Sequence, residues 1–123
     1  MVAEKENVVL ERAFSFAVRI VKLHKYLVEK HRAYSLADQL LRAGTSIGAN
    51  VTEAQDAQSR KDFIAKLSIA LKEAKESRYW IELLVATEYL DPEATHVVSL
   101  KKDTAELIRL LTAILKSSKQ AQL

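Results

Sequence analysis

The chain has no cysteine, and its 123 residues include only two glycines and one proline. Without cysteine there is no disulfide framework, no thiolate nucleophile and no Cys-ligated zinc or iron–sulfur centre, so a reducing, cytoplasmic location is expected. So few turn formers cannot supply the tight turns of a sandwich or barrel, which excludes an all-β fold, while the Ala, Leu, Lys and Glu content favours helix. Long apolar runs are also missing: no segment approaches the roughly 20 uninterrupted apolar residues of a membrane span. The opening MVAEKENVV mixes charges before any apolar stretch and does not read as a secretory leader. One soluble domain over residues 1–123, with no membrane partner, is the expectation.

Charge of one sign is scarcely in surplus, 19 basic against 16 acidic residues giving +3. The excess is local, however: residues 1–34 carry seven basic and four acidic groups. On a helix at about 100° per residue, Lys5, Arg12, Arg19 and Lys30 fall in one stripe with Lys22 beside it. Such a stripe is either a solvated helix face or a surface for a polyanion, RNA or DNA.

Periodicity predicts four helices, over about 7–32, 36–58, 60–90 and 92–116, packed as an antiparallel up-down all-α bundle. In the first, Leu10, Ala13, Phe14, Ala17, Ile20, Val21, Leu27 and Val28 form the expected core face. Val9, Phe16 and Leu23 then lie away from it, so this helix carries more apolar surface than one core needs, which suggests self-association. Ser35 with Asp38 and Ser59 with Asp62 have capping-box spacing. Asp91-Pro92 supplies an N-cap and an N1 proline for the fourth helix, and the tail after Lys116 is expected to fray. Gly44 and Gly48 each cost about 1 kcal/mol relative to Ala in a helix interior. The expected compensation is close approach of a neighbouring backbone, the alternative a local break in the helix.

No catalytic constellation is visible, and no metal or cofactor is expected. A carboxylate-bridged di-iron bundle needs Glu-x-x-His on two helices, and only Glu93 and His96 have that spacing. His24 and His31 share the inward side of the first helix but stand roughly 10 Å apart in rise, too far for one metal ion. They read as packed or partner-bonded side chains. There is no Gly-rich phosphate loop and no nucleophile elbow. Polar residues do gather elsewhere. Gln39, Arg42, Ser46, Asn50 and Glu53 line one side of the second helix, and the third carries Lys72, Glu73, Glu76, Arg78, Tyr79 and Trp80, with Lys72–Glu76 and Arg78–Glu82 at i,i+4 spacing. These sets are either salt-bridged helix surface or a polar interface between helices or subunits.

The runs QLLRAGTSIGANVTE (39–53), KDFIAKLSIA (61–70) and KEAKESRYWIELL (72–84) agree in order and spacing with one bacterial family. With its Ser46-Ile47-x-x-Asn50 core followed by Glu53, the chain resembles the four-helix bundle proteins first noticed as open reading frames within intervening sequences of large-subunit ribosomal RNA genes. One departure is Glu53-Ala54, where many members read Glu-Gly. The resemblance implies an antiparallel four-helix bundle assembling into a homopentameric ring, and relatedness to the accessory protein of diversity-generating retroelements, which associates with nucleic acid and a reverse transcriptase. Two functions compete. A ring multiplies the helix 1 stripe, with Arg12, Arg19, Lys22 and Lys30 contacting a nucleic-acid backbone, or it is a scaffold for a protein partner, held by the Arg42/Glu53 and Lys72/Glu76 sets.

Overall fold

In the computed structural model, which describes residues 4–121 and side chains from Val8 onward, each helix buries a seam whose members alternate three and four residues apart. In α1 (Glu4–His31) the seam is Val9, Ala13, Phe16, Ile20, Leu23 and Leu27. In α2 (Tyr34–Gln55) it is Ala37, Leu40, Gly44, Ile47, Val51 and Ala54. In α3 (Arg60–Ala86) Leu67, Ala70, Ala74, Ser77, Ile81 and Leu84 follow the same rhythm, as do Val97, Leu100, Thr104, Leu107, Leu111, Ile114 and Ser118 in α4 (Thr95–Ala121). A spacing that averages 3.5 residues keeps a seam facing its neighbours along a helix of 22 to 28 residues. Two of the three buried seam hydroxyls bond within their own helices: Ser77 donates to the Glu73 carbonyl and Thr104 to the Leu100 carbonyl, each at 2.8 Å.

Each helix packs on two others, in the cycle α1, α2, α3, α4. Paired residues run in opposite directions, His24 with Asp38 and Ile20 with Gly44 between α1 and α2, Arg42 with Glu76 and Glu53 with Lys66 between α2 and α3, Arg19 with Asp103 and Arg12 with Glu106 between α1 and α4. The bundle is therefore antiparallel and up-down, with α2 and α3 separate helices. No helix among the described residues is long and apolar enough to cross a membrane.

Several local expectations need correction. The core face of α1 is rotated from the predicted one: Val9 and Phe16 are 1% exposed, whereas Phe14 is 71% exposed and Val21 is also exposed. Helix 2 begins at Tyr34 behind Ala33, which makes no side-chain cap. Asp38 bonds His24 instead of closing a capping box, because a two-residue connection already places Ser35 inside the helix. The cap predicted for α3 is present, Ser59 Oγ accepting from the Asp62 N–H at 3.0 Å. That helix ends at Ala86, where Glu88 takes a φ of 68° and the Glu88 and Tyr89 N–H groups bond back to Val85 and Leu84, a Schellman closure without glycine. Asp91 and Pro92 form a turn before α4, with Asp91 Oδ1 accepting from the Glu93 N–H at 2.9 Å, so the helix starts at Thr95. Its far end stays helical to Ala121, held where Ser118 is buried.

Candidate functional site

Two heptad seams run side by side on α1. The first is the core seam. The second, one residue on in sequence, is Leu10, Phe14, Ala17 and Val21, with Val28 continuing the rhythm, and it faces outward or lies half-buried at the edge of α2. Between this seam and α2 runs a cleft of about 830 Å³ lined by small side chains, Ser15, Ala17, Gly48 and Ala49, together with Leu10, Phe14 and the carboxylate of Glu11. Thr45 and Thr52, also lining it, donate their hydroxyls to the Leu41 and Gly48 carbonyls, both at 2.7 Å. Their polar groups are spent within the helix, so the cleft is mainly apolar, with Glu11 and Ser15 as its polar members.

The glycines have different reasons. A Cβ on Gly44 would stand 2.7 Å from Ile20 Cγ1 and 2.9 Å from Cγ2, so the close neighbour is a packed side chain rather than the expected backbone. A Cβ on Gly48 would meet the Ala13 carbonyl oxygen at 3.5 Å, an ordinary contact, so backbone does pass there without demanding glycine. Neither breaks the helix.

The basic stripe is only partly available. Arg19 donates to Asp103 Oδ2 at 2.5 Å, to Ser99 Oγ at 3.0 Å and to the His96 carbonyl at 2.9 Å, pinning α1 to the start of α4. Replacing it by Glu would set a carboxylate against Asp103, so Arg19 is a structural clamp as well as a surface cation. Arg12 stands 3.9 Å from Glu106, whose nearer partner is Arg109 at 2.5 Å. The Arg109 hydrogen bond holds the Glu106 carboxyl below its ordinary range. Lys22 and Lys30 are exposed and enter no ion pair among the described residues, and the Lys5 side chain lies outside those residues. Asp103 and Glu106, the acids that neutralise the arginines, left no signal in the charge of α1 alone.

Of the polar constellation of α2, Arg42 and Glu53 reach α3. Arg42 reaches Glu73 Oε2 at 3.1 Å and Glu76 Oε1 at 2.6 Å, and Lys66 stands 3.7 Å from Glu53. Asn50 bonds within its own helix, to the Ser46 carbonyl at 2.9 Å and its hydroxyl at 3.2 Å, while Gln39 is exposed. Glu73 is buried, and Trp80 Nε1 donates to Glu76 at 3.4 Å with the Tyr79 ring edge-on to Trp80. The Arg42 hydrogen bond holds the Glu76 carboxyl below its ordinary value and raises the Arg42 guanidinium. The expected i,i+4 pairs, Lys72–Glu76 and Arg78–Glu82, do not form: Glu76 turns to Arg42, and Lys72 is exposed.

His24 bonds Asp38 at 2.8 Å, and His31 bonds the Tyr26 hydroxyl at 3.2 Å while its ring lies edge-on between Tyr26 and Tyr89. Among the described residues no three His, Asp or Glu side chains converge as a metal-binding set.

With the four helices and the α2–α3 motif in place, comparison is decisive. The family model for the 23S rRNA-intervening sequence protein matches residues 5–113. The chain belongs to that family. A crystal structure of a protein of unknown function from the S23 ribosomal protein family of Bacteroides thetaiotaomicron is 52% identical and superposes with a TM-score of 0.87, covering 91% of this chain and 98% of that one. No curated protein matches. Within the family motif, Arg42 with Glu73 and Glu76, and Glu53 with Lys66, thus join α2 to α3 inside one subunit, while Phe14 and Val21 on the second seam of α1 stay exposed.

Proposed function

We propose that this family member is a non-enzymatic bundle protein that assembles with copies of itself through the second seam of α1, and that the assembly is its functional form. The observation that carries this is Phe14, 71% exposed on the apolar seam Leu10, Phe14, Ala17 and Val21, beside a cleft lined in large part by small residues. Covering one such phenylalanine contributes roughly 1.5–3 kcal/mol, and a second heptad seam is the surface another helix packs on. The pentameric ring implied by the resemblance requires the seam of one copy to meet a different surface of the next, whereas a twofold pair sets seam against seam.

The mass in solution tests this. Light scattering at micromolar concentration is expected to give five times the 13.9 kDa chain mass, and Phe14→Glu is expected to reduce it to that of one chain with helicity unchanged, because Phe14 belongs to no part of the core. A wild-type mass of one chain overturns the reading.

A second reading is supported by Lys22 and Lys30, exposed and without ion pairs among the described residues: repeated around an assembly, they contact a nucleic-acid backbone, RNA or DNA. Arg12 and Arg19 contribute less to it than their positions alone imply, since Glu106 and Asp103 offset their charge. Such binding is expected to weaken steeply with salt. The alternative, a scaffold presenting its surface to a protein partner, is favoured if no RNA or DNA shifts at low salt.

A further inference from the structure

The C-terminal half of α1 and the first two turns of α4 line a separate open cleft of about 350 Å³, apart from the groove beside the second seam of α1. Leu23 and Leu100, both buried, are its apolar members. Arg19 is held in place by Ser99, Asp103 and the His96 carbonyl, which tie this side of the cleft to α4. Lys22 and His96 line it as well, both exposed, the lysine with no ion pair among the described residues. Tyr26 completes it, 43% exposed, its hydroxyl bonded to His31 and its ring braced edge-on by the same imidazole at 5.4 Å. His31 is in turn braced by Tyr89 at 5.5 Å.

An aromatic ring held by a second ring, and an ammonium one helical turn before it, at roughly 6 Å of rise, are the two parts of a site for single-stranded nucleic acid. A half-exposed ring can stack a base, and a cation beside it can meet the phosphate. A duplex, whose bases are already stacked, uses only the second. The guanidinium of Arg19 is neutralised by Asp103, so Lys22 is the standing positive charge, and the exposed His96 imidazole offers a ring nitrogen for a hydrogen bond beside it.

We propose that this cleft binds a nucleotide unit, the base against Tyr26 over Leu23 and Leu100 and the phosphate at Lys22 and His96. The proposal deepens the nucleic-acid reading by giving it a base-contacting site, and it stands apart from the assembly seam. The same chemistry is presented by a free mononucleotide and by a nucleotide within a strand, and the experiment separates them.

Fluorescence anisotropy of the full-length protein would compare a labelled twelve-nucleotide single strand, a labelled duplex of the same sequence, and unlabelled uridine monophosphate as competitor. Single strand is expected to bind more tightly than duplex. Tyr26→Ala is expected to weaken the single strand about tenfold, the scale of one lost stacking contact, while leaving duplex binding unchanged, and Tyr26→Phe, which keeps the ring, is expected to retain wild-type affinity. Lys22→Glu is expected to lower both affinities and flatten the salt dependence. Competition by the mononucleotide identifies the free nucleotide as sufficient; failure of competition with strand binding intact assigns the cleft to strands. Equal affinity for strand and duplex, indifferent to Tyr26→Ala, overturns the cleft and leaves the backbone reading standing. No binding of any probe overturns both. Tyr26→Ala protein that loses helicity is replaced in the comparison by Tyr26→Leu, where wild-type strand affinity overturns the cleft equally.

Discussion

Gly44 and Gly48 sit four residues apart on the same helix, and sequence periodicity treats them alike. Their surroundings do not. At Gly44 an added methyl collides with Ile20, itself 0% exposed and, being β-branched, confined almost to one rotamer on a helix. At Gly48 the methyl finds ordinary contact with Ala13. Gly44→Ala is therefore expected to destabilise by about 1–3 kcal/mol through overpacking, exceeding the gain of about 1 kcal/mol in helix propensity. Gly48→Ala is expected to raise stability by up to about 1 kcal/mol. Thermal melts of the two variants decide it, and equal shifts of the same sign would show that Ile20 moves aside.

Helices pair through groups that a single helix does not reveal. Arg42 on α2 answers two carboxylates of α3, one of them buried, and this cross-link replaces the local Lys72–Glu76 pair that spacing alone predicts. The physical reason is proximity between elements: a guanidinium presenting several donors in a fixed fork serves both Glu73 and Glu76, and Trp80 adds a further donor to Glu76. Because the folded state holds the Glu76 carboxyl below its ordinary value of 4.5, the resulting stabilisation is present above that value and is lost as pH falls through the lower folded-state one. With Arg42 half exposed, the amount is modest. Glu76→Gln is expected to cost about 0.5–1 kcal/mol at pH 7 and less at pH 3. Urea melts at the two pH values measure the difference; a cost undiminished at pH 3 would assign it to packing against Trp80 instead. The caps divide in the same way. Ser59 closes α3 because its signal is local and its loop is long enough to leave it outside the helix. The matching pair Ser35 and Asp38 is overruled by the tight α1–α2 connection, which turns at Arg32 with a φ of 53°.

At the scale of the molecule, a bundle of four amphipathic helices needs one seam from each, and α1 brings two. The proposed assembly would add stability by mass action, so Tm is expected to rise with protein concentration for the wild type and to be independent of it for Phe14→Glu. Differential scanning calorimetry over a hundredfold range of concentration checks this. A wild-type Tm that does not move would separate the second seam from assembly.

The all-α class, the number of helices and the family were legible in the sequence, because heptad spacing, scarce turn formers and the motif from Gln39 to Glu53 are local or composed of contiguous runs. Which of the two seams of α1 enters the core was not. Leu10, Phe14, Ala17 and Val21 repeat with the same period as Val9, Phe16 and Leu23, and periodicity carries no phase when both sides of a helix are apolar. Tertiary packing selected the seam with Val9, Phe16 and Leu23, placing Ile20 on Gly44 and aligning Arg19 with Asp103 and His24 with Asp38. The same choice left Phe14 exposed and drew Arg19 out of the solvated stripe. Charge and hydrophobicity are properties of residues, but availability belongs to the surface they end on, and that surface exists only once the helices have chosen their neighbours.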